Sequence, residues 1–376
     1  MGLKSFTFER DLTARFVEFP YELYRHDAGW VPPLRSETEG QLHPRFPFYG
    51  RPGSDHRRFL AVAGERVVAR VAASVDGALP YEDGAPVGAI GLFEAADDYA
   101  AAADVLSAAV EWLRAVHGVR RIRGPLNFDI WHGYRLMTRG FERERFYGEP
   151  YNPPYYPEFF ARFGFSVWRR WNSFELPGSL PEDELASTGG PSWRDFAARG
   201  YRIEPFAARP FEERLRLLHD LLTRSFAAFP GYTPIALADF RDLMSLARWV
   251  LHPRCSTFVF DETGTPAGFA AVLVDVADAV RAMDGRRSAW RGLRFLWRRR
   301  QSRRLLLHLG GITPAEAARH TGVARAAFHD TLRRIRAERC EGVVASLVAR
   351  GNPVRRLYGA HAADRRREYA LFELAS

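Results

Sequence analysis

The sequence predicts an α+β fold built twice, as two domains that each hold a mixed central sheet flanked by helices. Three observations predict it. The chain has 376 residues, two or three times an ordinary domain. Its residues are 47% hydrophobic, enough for large cores and incompatible with wholesale disorder. One order of elements, strand–helix–hairpin–strand–helix–strand–helix–strand, occurs twice, roughly 190 residues apart, as an internal duplication leaves it.

The elements follow in order. Residues 58–76 (RFLAVAGERVVARVAASVD) set two apolar runs about Gly64, the pattern of a β-hairpin. A strand at 87–94 (VGAIGLFE) and a helix at 100–118 come next, then RRIRGP, the tyrosine-rich 151–165 and a closing strand, WRRWNSFEL. Gly, Pro, Ser and acids crowd 176–193, so a linker at 179–195 is expected between domains 1–178 and 196–376. The hairpin recurs at 257–275 about Gly264-Thr265-Pro266. After it come a strand at 304–312 (RLLLHLGGI), a helix at 322–340, and the runs GVVASLV, NPVRRLYG and EYALFEL.

The formal charge is +9, and it is local. Residues 281–304 hold ten arginines and one acid, Asp284, so the other residues sum to zero. Cys255 and Cys340 make no CxxC and no disulfide framework, which fits a reducing cytoplasm. The first residues, MGLKSFTFERDL, carry no apolar targeting core, and no run approaches the roughly 20 apolar residues of a membrane span. A cytoplasmic protein is expected, free or peripheral on the inner face of the membrane. There is no G-x-S-x-G elbow, no H-x-x-x-x-D box and no H-E-x-x-H, so serine-hydrolase and metal chemistry have no support, and no metal is expected.

One motif carries chemistry. Arg319-His320-Thr321-Gly322-Val323-Ala324 reads R-x-x-G-x-A and opens a helix shortly after a strand. A glycine turn leaves backbone N–H groups pointing outward, and the helix macrodipole adds about half a positive charge there, a cradle for a pyrophosphate. Gly322 and Ala324 let the backbone approach the anion. On this motif, followed by the strand GVVASLV and then Asn352 and Tyr358, the second half resembles the GNAT acyl-CoA-dependent N-acyltransferases. The phrases at 19–37 (FPYELYRHDAGWVPPLRSE), 124–128 (GPLNF) and 150–165 (PYNPPYYPEFFARFGF) resemble a bacterial family of tandem GNAT proteins, similar in architecture to bacterial ceramide synthases. The four residues between Pro314 and Arg319 exceed the family's usual spacing.

The resemblance implies acetyl-CoA or a longer acyl-CoA as co-substrate and a primary amine, lipid or small molecule, as acceptor. Cofactor contacts would come from Leu309, Gly311 and Ile312 on the strand, from the six cradle residues, and from Asn352 on the pantetheine arm. Tyr358 would protonate the departing thiolate. His308, on the same strand, is a candidate general base or a strand histidine satisfied by a neighbour; Asp275 is a lesser candidate. The first half carries Asp97 and Asp98 where its cradle would be, which repels phosphate, so it is expected to be degenerate and to help form the acceptor site. Tyr151, Asn152, Tyr155 and Tyr156, with Tyr147 nearby, either line that acceptor pocket or glue the halves together.

Three alternatives stay open. The same cradle could bind CoA without turnover. Residues 312–338 also fit a helix-turn-helix with a basic second helix, although flanking apolar strands argue for a sheet, and no nucleic acid is expected. In 281–304, Trp290, Leu293 and Trp297 fall at i, i+3 and i+7, an apolar stripe that suits an anionic membrane or packs on the domain, with one or two arginines as possible partners of a CoA phosphate. This insertion is expected beside the active site.

Overall fold

Short apolar runs buried on both faces make most of the strands, and amphipathic stretches make the helices that cover them. The structure, a computed structural model, describes residues 2–177, 192–229, 231–338, 340–352 and 366–375. In chain order the first half contains β1 (Gly2–Phe6), α1 (Arg10–Leu23), α2 (Arg35–Leu42), β2 (Asp55–Ala63), β3 (Arg66–Val75), β4 (Val87–Ala95), α3 (Tyr99–His117), β5 (Arg121–Gly124), β6 (Leu136–Arg139), α4 (Tyr156–Phe163) and β7 (Ser166–Pro177). The second contains α5 (Trp193–Ala198), β8 (Arg202–Pro205), α6 (Phe211–Phe226), α7 (Leu237–Leu243), α8 (Ala247–Val250), β9 (Thr257–Phe260), β10 (Pro266–Val274), α9 (Ala277–Arg281), α10 (Ala289–Gln301), β11 (Arg304–Ile312), α11 (Pro314–Ala318), α12 (Val323–Ala337), β12 (Gly342–Ala349) and β13 (Arg366–Ala375). Both hairpins turn on a glycine at positive φ, Gly64 and Gly264, as the sequence reading requires.

The two sheets expected of two domains are one. Among the described residues it has 13 strands, in the order β1-β2-β3-β4-β5-β13-β7-β12-β11-β10-β9-β8, with β6 also on β13. The closing strands are exchanged. β13, from the end of the second half, pairs with β5 of the first (Phe372↔Gly124). β7, from the end of the first half, pairs with β12 of the second (Val344↔Glu175). The exchanged strands then pair antiparallel with each other from Arg366↔Phe174 to Glu373↔Ser166.

Packing follows the exchange. Phe174 and Leu176 of β7, with Phe146, sit in the core of the second half beside Leu306, Val343 and Val344. Ala370 and Phe372 of β13 sit in the core of the first, beside Ile122 and Phe160. Burying one such phenylalanine contributes about 1.5–3 kcal/mol, so each half needs the other's last strand. A charged seam crosses the join. Arg367 is fully buried and pairs with Glu149 at 3.1 Å and Glu175 at 2.7 Å, while Arg304 of β11 reaches Glu175 at 3.2 Å and Asp275 at 3.5 Å.

Candidate functional site

The site begins with an irregularity in β11. The strand pairs with β10 along its length, but Leu309 opposes Ala271 and Leu307 opposes Val272, so His308 is the extra residue of a β-bulge. On its other side β11 runs parallel to β12 only from Arg304↔Gly342 to Leu307↔Ala345. Beyond that point β12 bulges as well, with Leu347 at φ 54°, and keeps only its pairing with β7. The two parallel strands therefore part at His308 and Ser346, leaving a mouth lined by β11 backbone.

His308 bridges this mouth, its Nδ1 3.1 Å from the Ser346 hydroxyl. Burial, and then the Arg135 guanidinium, push its pKa down to about 4, so at neutral pH it is an uncharged imidazole. Arg135 comes from the first half. It holds a positive φ of 88° and stacks over Tyr134 at 3.8 Å and Trp171 at 4.5 Å. Among the described residues no carboxylate pairs with it, and its Nε is buried without an acceptor. Opposite, Ser225 and Phe226 at the end of α6 lie over Gly311, and the Ser225 hydroxyl is likewise without a partner among the described residues. Sequence reasoning missed Arg135, Ser346 and Ser225, because no motif marks them; Ser346 and Ser225 reach β11 by packing within the second half, and Arg135 through the meeting of the halves.

The cradle lies beyond the far end of β11. Gly322 precedes α12 with φ 84°, and a Cβ there would meet nothing within 4 Å. Arg319, His320, Gly322 and Ala324 are exposed, Thr321 is half-buried and Val323 is buried. The spacing noted in the sequence is taken up by α11, whose Glu316 is buried and organises the turn. It accepts from Thr321 at 2.7 Å, from Tyr201 at 3.1 Å and from Arg319 at 3.2 Å. Arg319 also binds Glu262, whose carboxyl it holds down at about 2. Ile312 packs with Val323 and Ala326, joining the strand end to the helix start.

The first half repeats the geometry and fills it. β4 bulges at Leu92, φ 49°, and runs beside β5 only as far as Ala89↔Arg123. Residues 126–135 occupy the space between. The Leu126 amide donates to the Ile90 carbonyl at 2.7 Å, and Asn127 Oδ1 accepts from the Leu92 amide at 2.7 Å. A Cβ on Gly91 would lie 2.3 Å from the Leu126 carbonyl, so this close fit requires glycine. Asp98 caps α3, accepting from Ala100 N at 2.9 Å and Ala101 N at 3.3 Å, which puts a carboxylate where a phosphate would sit. By position in the strand, Leu309 is the counterpart of Leu92. Among the described residues no side chain accepts from the Leu309 amide.

The remaining sequence expectations fall as follows. Tyr358 lies outside the described residues. Asn352 is exposed, its amide donating to Ala349 O at 3.0 Å just beyond β12. Tyr155 and Tyr156 belong to the first half's core and both donate to the Ala95 carbonyl. Asn152 is buried and spends its side chain on Met137 and Pro153. Tyr151 binds Asp27. These partners of the four side chains all lie in the first half, an arrangement that is neither the acceptor pocket nor the seam between halves that the sequence left open. Asp275 does not face the mouth: it ends β10, accepts from the Tyr147 and Ala277 amides and pairs with Arg304. Residues 312–338 do not form a free helix pair either, since α12 buries Val323, Ala326, Phe328 and Leu332, and Arg334 pairs with Asp330 at 2.6 Å. His252, Cys255 and Glu338 converge within 4.8 Å of one another. Protein groups already hold them, the His252 Nδ1 accepting from the Cys255 amide and Glu338 pairing with Arg254, while burial pushes the thiol up to about 12.

No protein-family model matches the sequence. Among curated proteins, the chain is 22% identical over 306 residues to the protein YghO of Escherichia coli, covering 79% of this chain and 74% of the relative. It is 26% identical over 290 residues to the bacterial ceramide synthase of Caulobacter vibrioides, covering 76% and 73%. Among solved structures it is similar to a tandem GNAT protein from the clavulanic acid biosynthesis pathway, with TM-score 0.52 and 14% identity over 100% of this chain and 98% of that one.

Proposed function

The chain has a tandem GNAT fold, and from that premise we propose that it is an acyl-CoA-dependent N-acyltransferase acting on a primary amine. The second half would hold the acyl-CoA, and the first half would supply part of the acceptor side through Arg135. One observation carries this reading: in the first half Asn127 accepts from the bulged strand and Asp98 caps the helix that follows, whereas among the described residues no side chain accepts from the Leu309 amide and the space over Gly322 is open.

In the proposed reaction the thioester carbonyl accepts from the β11 backbone near Leu309 and Gly311, which stabilises the developing oxyanion. The amine nitrogen attacks the carbonyl carbon, the new C–N bond forms and the C–S bond breaks. The nitrogen's proton passes to His308, neutral and within reach of the mouth, or to water. In keeping with the family resemblance, Tyr358 would return a proton to the leaving sulfur, so that CoA departs as a thiol. Acetyl-CoA or a longer acyl-CoA serves as co-substrate, and the chemistry calls for no metal.

For the acceptor we infer a lipid or long-chain amine, on the likeness to the ceramide synthase, met peripherally at the inner face of the membrane. Release of free thiol from acyl-CoAs of graded chain length, with and without a long-chain amino alcohol, tests the reading. Amine-dependent thiol release that falls at least tenfold in Tyr358→Phe is expected. Tight acyl-CoA binding with no turnover for any amine would leave a CoA-binding protein in its place.

A further inference from the structure

We propose that the outer face of α10 docks this protein on an anionic bilayer, with Trp290, Leu293 and Trp297 entering the headgroup region and arginines on either side binding lipid phosphates. The proposal deepens the lipid-amine reading above, on which it rests only for its purpose. The binding itself is argued from α10.

No residue of α10 is buried. Trp290 is 74% exposed, Leu293 61% and Trp297 57%. Scattered apolar residues on a surface are ordinary, but three large ones in a row on one helix face mark a contact surface. The stripe therefore does not pack on the domain, one of the readings the sequence left open. Nor is the helix loose. Phe295, on its inner side, packs against the second half's core, Arg299 donates to the Trp249 carbonyl and Arg291 to that of Met283. Trp249, on the adjacent α8, is itself 41% exposed. The start of the insertion is fastened to the first half: the Arg35 amide donates to the Gly285 carbonyl at 2.9 Å, and Arg287 pairs with Glu37 at 3.7 Å.

The charge selects the occupant. Ten arginines stand against one acid in 281–304, and among the described residues Arg294, Arg298, Arg300 and Arg303 form no salt bridge. A nucleic acid would need the arginines at the centre of the contact, and the apolar ridge would there be pressed against phosphates. A bilayer interface accepts both at once, since indole rings settle at the headgroup level while long cationic side chains reach up to phosphate oxygens.

The docked face also fixes an orientation. α10 leads into Arg304 at the start of β11, whereas the cradle lies beyond Ile312 at its end, about 26 Å away for an extended strand of this length. The insertion and the cradle thus lie at opposite ends of the strand, with His308, the candidate base, between them. On a membrane the nucleotide of acyl-CoA would reach Gly322 from the aqueous side.

Flotation of the full-length protein with vesicles of phosphatidylcholine alone, or with about 30% phosphatidylglycerol, tests this. Binding at least tenfold stronger to the anionic vesicles is expected, weakening as salt rises. The variant Trp290→Ser/Leu293→Ser/Trp297→Ser should lose at least tenfold in binding. Its thermal melt and its calorimetric affinity for acyl-CoA should stay those of the parent, and the quenching of tryptophan fluorescence by brominated lipid should disappear with the binding. Equal binding by parent and variant overturns the proposal. So does an absence of parent binding, retention on duplex DNA that only the parent shows, or a parental dimer that the variant converts to monomer. Vesicle binding without acyl-CoA binding would instead sink the acyltransferase reading and leave the docking intact.

Discussion

His308 combines two properties that pull against each other. Burial and the Arg135 guanidinium keep it uncharged, so it is ready to accept a proton, yet the same influences make it a weak base. It suits an amine that becomes acidic only as its bond to the carbonyl carbon forms. Replacing Arg135 by Leu removes a cation from beside the ring, and the His308 pKa should rise towards its ordinary value; an unchanged titration by NMR would contradict the pairing. The folded state disfavours protonated His308, so the unfolded chain binds the extra proton between pH 6.5 and about 4. Parental stability should therefore fall relative to His308→Gln as the pH drops through that window, by about 3 kcal/mol at most, and denaturant melts across it read the difference. At Gly322 a Cβ would meet nothing, and only the positive φ resists substitution. Gly322→Glu should cost about 1 kcal/mol of stability but put a carboxylate in the phosphate cradle, weakening acyl-CoA binding tenfold or more by calorimetry.

At the scale of elements, the two bulged strands β4 and β11 are the same device used differently. In the first half the segment after β5 folds back and gives its own amide and Asn127 to the strand edge. It then carries Tyr134 and Arg135 across to Trp171 of β7. The plug thus closes one mouth and furnishes the other. Asn127→Ala should destabilise by about 1–3 kcal/mol, since it strands the Leu92 amide. It should not create a second acyl-CoA site, because Asp98 still caps α3; calorimetry returning two sites per chain would refute this. The phrase GPLNF, legible in the sequence as a family likeness, holds the start of the plug, Leu126 and Asn127. Its purpose was not legible, because a hydrogen bond from Leu92 to Asn127 spans 35 positions and leaves no periodic trace.

For the whole molecule, the exchange of β7 and β13 makes the halves interdependent. Residues 1–178 and 196–376, expressed separately, should fail to give a cooperative melt, each lacking the strand that completes its core. Co-expressed, they should co-purify as a folded pair. A stable, monomeric first half alone would contradict the exchange. Arg367, fully buried between Glu149 and Glu175, marks the join.

The sequence by itself determined the repeated hairpin, strand and helix among the described residues, both hairpin turns, the glycine that opens α12 and the place of the cationic insertion along the chain. These are local: period-two and helical apolar patterns, glycines at positive φ and runs of like charge are written within a few residues. Only the tertiary structure decided which closing strand completes which sheet, because a strand edge offers the same row of N–H and C=O groups to either half, and the choice depends on distant side chains filling a core. It alone showed the first half's mouth filled by Asn127, and it placed Tyr155 and Tyr156 in the first half's core and Asn152 buried against Met137 and Pro153, since hydrogen-bond partners far along the chain decide where such groups go. It alone left the α10 stripe uncovered: an amphipathic pattern fixes that a helix has an apolar face, while what lies against that face is settled by the packing of everything else.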